Sequence, residues 1–117
     1  MAALHEDAES LSGDTRELHR ALASLIEELE AVDWYQQRID ATGDAELRAV
    51  LSHNRDEEIE HACMVLEWVR RRSAAFDRQL QRSLFRSGPI VGVEADPPTA
   101  PGDGSLGLGR LSVEVTD

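Results

Sequence analysis

The sequence predicts an all-α fold: two long helices in an antiparallel hairpin, a short third helix, and a disordered C-terminal tail. Pairing with a second copy would complete a four-helix bundle. Three observations lead there. Apolar residues recur at alternating four- and three-residue steps through residues 11–39 and 47–68, the spacing of a bundle seam. Only the turn sequence ATGD, 41–44, separates the two segments. All 4 prolines lie beyond residue 88, so none interrupts either helix.

Residues 1–8, MAALHEDA, carry no periodic pattern and are expected to be disordered. The first helix is predicted over about residues 9–40. Its seam reads Leu11, Asp14, Leu18, Ala21, Leu25, Glu28, Val32, Tyr35, Ile39. Asp44 is positioned as the N-cap of a second helix over 45–72. The seam of that helix reads Leu47, Leu51, Asn54, Glu58, His61, Val65, Trp68. Arg70, Arg71 and Arg72 close it, where positive charge suits the helix dipole. A third helix is predicted over 74–85, with Phe76, Leu80 and Leu84 on one side, before Gly88-Pro89 breaks the pattern. The folded domain is thus expected over 9–93. Residues 94–117 hold three of the 4 prolines and four of the 8 glycines, a composition for a flexible tail.

Two long helices cover only one side of each other's apolar faces. A core this small needs help from another chain or a metal, so a homo-oligomer is expected. The 23 acidic residues outnumber 12 basic ones, for a net charge of -11. That balance argues against nucleic acid or an anionic membrane as partner and for attraction of cations. The lone cysteine, Cys63, forms no intrachain disulfide and fits a reduced compartment; it is expected to be a small buried side chain. No secretory signal or membrane-spanning run is visible in the sequence, so a cytosolic setting is expected.

The seams are apolar at their ends and polar in the middle. A carboxylate in a bundle core costs several kcal/mol unless it is paired. The plain reading of any one seam glutamate is an interhelical salt bridge or a partly wet seam. Here Glu28, Glu58 and His61 coincide, and the chain has no lysine to pair with them. Arg48 and Arg55 lie off the seam. Glu58 and His61 form E-x-x-H, which puts both side chains on one helix face. Di-iron carboxylate bundles use a Glu from each of two helices and a Glu-x-x-His from each of two others. This chain offers one of each, half the set. The donors suit iron, and zinc or manganese as well.

Three segments carry a resemblance: EELEAVDWYQQRID (27–40), HNRDEEIEHACMVLEWVRR (53–71) and DGSLGLGRL (103–111). They resemble the encapsulated ferritins, ferritin-like cargo of encapsulin. The resemblance implies a two-helix ferritin-like chain with a short third helix, dimerising into a ferritin-like bundle within a ring-shaped decamer. It implies a ferroxidase housed in an encapsulin nanocompartment of the bacterial or archaeal cytoplasm, whose shell holds the mineral. It implies that Glu28, Glu58 and His61 are catalytic metal ligands, with two irons at each dimer interface. It implies that Glu27 and Glu30 draw metal in; by spacing alone they read as a solvated acidic face. Trp34 and Tyr35 would lie near the metal centre, in a supporting or electron-transfer role; alone, Tyr35 reads as a core aromatic. The tail segment Gly104, Ser105, Leu106, Gly107, Leu108, Gly109, Arg110, Leu111 would be a targeting peptide for the encapsulin shell protein, docking by its leucines. Here it continues into SVEVTD, and the first fourteen residues depart from the family pattern.

Two other readings stay open at this stage. One is a non-catalytic assembly stapled by zinc or calcium. The other is a metal-free helical adaptor that carries its tail to a partner.

Overall fold

The structure is a computed structural model and describes residues 3–92. Residues 1–2 and 93–117 lie outside the described residues, and with them the whole tail and its 103–111 segment. Among the described residues the fold is all-α. Helix α1 spans Gly13–Ala41, α2 Ala45–Arg72 and α3 Ala74–Ser83, after a single 3-10 turn at Ala8–Ser10. The chain divides between Ser73 and Ala74 into two compact units, the α1–α2 hairpin and the segment that begins with α3.

Helix α1 begins later than its seam suggests. Ser12 is the N-cap, its hydroxyl oxygen accepting from the Thr15 N–H at 3.1 Å. Leu11, counted in the seam from sequence, stays outside the helix. Its carbonyl accepts from the Arg16 guanidinium at 3.0 and 3.3 Å. The helix runs 29 residues without a break.

The turn is closed by side chains. Thr42 caps α1 through its N–H to the Arg38 carbonyl at 3.0 Å. The Asp44 carboxylate accepts from the Glu46 and Leu47 N–H groups at 2.9 and 3.1 Å, as its N-cap position predicts. Arg48 reaches back to donate to the Ile39 carbonyl at 3.3 Å and to the Thr42 carbonyl. One side chain on α2 thus satisfies carbonyls left open at the end of α1. Asp44→Ala removes two N–H acceptors and is expected to lower stability by about 1–2 kcal/mol. Urea denaturation followed by circular dichroism checks this; an unchanged midpoint would contradict it.

The buried core is small: among the described residues only Ile39, Ala62 and Val69 are buried, Val69 completely. The inward row of α2 is therefore one residue on from the expected seam, at 62 and 69 rather than 61 and 68. The seam residues His61, Val65 and Trp68 are half-buried. Cys63, expected inside, is exposed, because it follows Ala62 and turns away from α1. Ile26, Leu29, Trp34, Leu47, Val50, Ile59 and Met64 also remain exposed. One hairpin thus leaves seven of its large apolar side chains facing outward.

The end of α2 is pinned by charge. Glu67 accepts from Arg70 at 2.8 Å through each carboxylate oxygen and from Arg71 Nε at 2.7 Å. Arg72 lies 4.5 Å from the centre of the Trp68 ring, a cation–π distance. The bonds from Arg70 and Arg71 lower the Glu67 pKa to about 2. A lowered carboxylate pKa stabilises the fold above its ordinary value of 4.5, and that contribution disappears as pH falls through about 2. Wild type should therefore exceed Glu67→Gln in thermal stability near neutral pH. The gap should close between pH 4.5 and about 2, read as melting temperature against pH. A gap independent of pH would show that the charge is not what matters.

Helix α3 ends at Ser83, two residues short of the expected Phe85. The Leu84 N–H still reaches the Leu80 carbonyl at 2.9 Å. Phe85 then takes φ +59°, a left-handed conformation that stops the helix and is uncommon for a bulky residue.

Candidate metal centre

The hairpin brings three of the sequence-predicted residues together. Glu28 sits near the middle of α1, and Glu58 and His61 near the middle of α2. Glu28 and Glu58 each lie about fifteen residues from the turn, so an antiparallel hairpin sets them at the same height. The E-x-x-H spacing then points Glu58 and His61 the same way.

One donor atom from each of Glu28, Glu58 and His61 lies within 4.8 Å of the others. His61 Nδ1 is 3.4 Å from Glu58 Oε1 and 3.6 Å from Glu28 Oε1. Those separations are longer than good hydrogen bonds, so the imidazole does not lock either carboxylate. The two glutamate side chains are 25% exposed and the histidine 44%, which leaves the cluster open on one side.

The cluster is electrostatically unbalanced. Glu28 is held above the usual carboxylate range, first by a hydrogen bond shared with Glu58, then by burial and by the Glu58 charge; His61 opposes the shift. A carboxylate whose ionisation is disfavoured by a neighbouring carboxylate forms a site that a cation relieves. The nearby arginines do not supply that charge, since their guanidiniums are engaged elsewhere. Arg48 caps α1, and Arg55 donates to Gln36 Oε1 at 2.8 Å and to Asp56 Oδ1 at 2.8 and 3.1 Å. The salt-bridge reading of the seam glutamates therefore has no arginine partner here.

Two carboxylate donors and one imidazole suit a first-row transition metal, iron included. The residues present fit the metal, and they leave coordination positions for other ligands. Glu27, Glu30 and Trp34 lie exposed on α1 and are not drawn into the cluster. Tyr35 is half-buried, with the Arg38 guanidinium 5.5 Å from its ring centre. Reading the sequence missed Gln36 and Arg55, whose bond ties α1 to α2 across the hairpin. No periodic signal marks that pair, because both lie off the apolar rows.

A long helical hairpin with facing glutamates and an E-x-x-H histidine at its middle defines a ferritin-like helical protein. More narrowly, the chain belongs to the EncFtn-like family, whose model matches residues 3–87. It is 50% identical to an encapsulated ferritin-like protein of Rhodospirillum rubrum, over 95% of this chain and 89% of that one. It is 43% identical to the encapsulin nanocompartment cargo protein EncC of Myxococcus xanthus, over 47% of this chain and 43% of that one. A crystal structure of a protein from Nitrosomonas europaea is 54% identical, with a TM-score of 0.74 over 77% of this chain and 99% of that one.

Proposed function

We propose that this protein is a ferroxidase that oxidises Fe(II) to Fe(III) at a centre shared between two copies of the chain. The observation that carries the reading is the Glu28–Glu58–His61 cluster, with its donors within 4.8 Å of one another. One chain supplies half of a di-iron ligand set. A second copy supplies the same three residues again, and its hairpin covers apolar side chains that one hairpin leaves exposed. The resulting dimer builds into a larger ring.

Fe(II) is the substrate. Glu27 and Glu30, exposed on α1, draw it in by charge. Glu28 and Glu58 hold it as carboxylates, and His61 binds through a neutral ring nitrogen. Each ion gives up one electron, so a pair of ions delivers two to the oxidant, dioxygen. Trp34 and Tyr35 lie further along α1 and take a supporting or electron-transfer role beside the centre. The family membership and the named cargo relative support a setting inside an encapsulin shell, with residues 103–111 as the docking segment.

Stopped-flow absorbance tests the reading. Metal-free protein mixed with Fe(II) in air-saturated buffer should produce Fe(III) absorbance far faster than buffer alone. Zinc or calcium binding with no acceleration of iron oxidation would favour the metal-stapled assembly instead.

A further inference from the structure

Arg55 joins the two long helices through its side chain. Its Nη1 on α2 donates to Gln36 Oε1 on α1 at 2.8 Å. Its Nε and Nη2 donate to Asp56 Oδ1 at 3.1 and 2.8 Å. Gln36 is oriented in turn, since its Nε2 donates to Asp40 Oδ1 at 3.1 Å and its oxygen is left for the arginine. Helical side chains lean toward their own N-terminus. In an antiparallel pair Arg55 therefore leans toward the turn and Gln36 away from it, and the two meet. The Arg55 side chain is only 25% exposed.

Arg55 lies three residues before Glu58, about 4.5 Å along the helix axis. Apolar packing is thin at this height. No described residue of α1 before Ile39 and none of α2 before Ala62 is buried. Apolar contact is also non-directional, whereas a hydrogen bond fixes distance and angle. A slip of one helical residue is about 1.5 Å, and metal–ligand distances hold to within about 0.2 Å. We propose that Arg55 is a positioning residue for the metal centre. Through Gln36 and Asp56 it sets the register of α2 against α1, and with it the separation of Glu58 and His61 from Glu28. It is neither a ligand nor a counter-charge: its ion pair is with Asp56 at 2.8 Å, while His61 faces the two glutamates. The inference rests on the reading that the cluster takes up metal, and not on iron oxidation.

Titration of the full chain with Co(II), whose visible absorption follows its coordination geometry, tests it, with sedimentation velocity on the same preparations. Wild type should bind saturably and Glu58→Ala should not. Arg55→Met keeps the aliphatic stem and removes the donors. It should weaken Co(II) binding about tenfold or more, as loss of an outer partner of a metal ligand does, and alter the absorption of the bound ion, with assembly unchanged. Gln36→Leu should act the same way, and the two changes together should weaken binding no further than Arg55→Met alone. Asp44→Ala, which loosens the hairpin at its turn, should keep the wild-type affinity and spectrum. Wild-type affinity and spectrum in Arg55→Met would overturn the proposal and leave the metal reading intact. So would loss of assembly in step with affinity, which would mean a subunit contact, or equal weakening by Asp44→Ala, which would mean a general loss of stability. No saturable binding by wild type, or wild-type binding by Glu58→Ala, would overturn the metal reading and this inference with it.

Discussion

Replacing Glu58 or His61 with alanine is expected to abolish the fast phase of Fe(II) oxidation while leaving the hairpin folded. Each change removes one of three donors that lie within 4.8 Å of one another. In a two-fold assembly it removes two donors from each shared centre. The loss should exceed the ~10–100-fold that follows removal of an outer partner of a metal ligand. Folding should survive for a physical reason. Both side chains are only half-buried, and Ile39, Ala62 and Val69, which form the core, are untouched. Losing Glu58 also frees Glu28 from the neighbour that raises its pKa. Metal-free Glu58→Ala should therefore be no less stable than wild type. Stopped-flow kinetics and thermal melts on the same preparations separate the two effects. Wild-type turnover in both variants would remove the cluster from the mechanism.

The candidate centre was legible because a helical seam has a strict period. An apolar row interrupted by Glu28 on one helix, and by Glu58 and His61 on the next, puts the interruptions at one height once the turn at 41–44 is located. Local chemistry also marked the Asp44 cap. The start of α1 was less visible. Leu11 fits the period, but the Ser12 hydroxyl captures the Thr15 N–H and the helix begins there. The buried row was displaced by one residue for a different reason. A period gives the direction of a face, but not how that face is divided between the partner helix of the same chain and a second chain. Ala62 and Val69 are buried within the single chain, while His61 and Trp68 of the predicted seam are only half-buried. Cys63 followed the wrong side of that division. Glu27 and Glu30 have no such geometric signature, being two exposed acids on an acidic helix.

Placing aspartate at both Leu29 and Ile59 is expected to yield a folded chain that no longer assembles and no longer oxidises iron. Each residue follows a candidate ligand, and both are exposed on the single hairpin, Leu29 at 54% and Ile59 at 43%. Outside the intrachain core, neither change should melt the helices. Burying a leucine or isoleucine against a second copy contributes roughly 1.5–3 kcal/mol. Aspartate forfeits that and adds the several-kcal/mol cost of an unpaired buried charge. Two-fold symmetry doubles both terms at each interface, and each ~1.4 kcal/mol is tenfold in affinity. Micromolar protein should then sediment as a monomer. The consequence for catalysis decides where the centre resides. All three donors remain on every chain, so a centre complete within one hairpin would keep its rate. A centre that needs the same residues from two copies loses it together with the assembly. Sedimentation velocity and iron oxidation measured across a protein dilution series should fall together. A monomer that oxidises iron at the wild-type rate would show that one chain suffices.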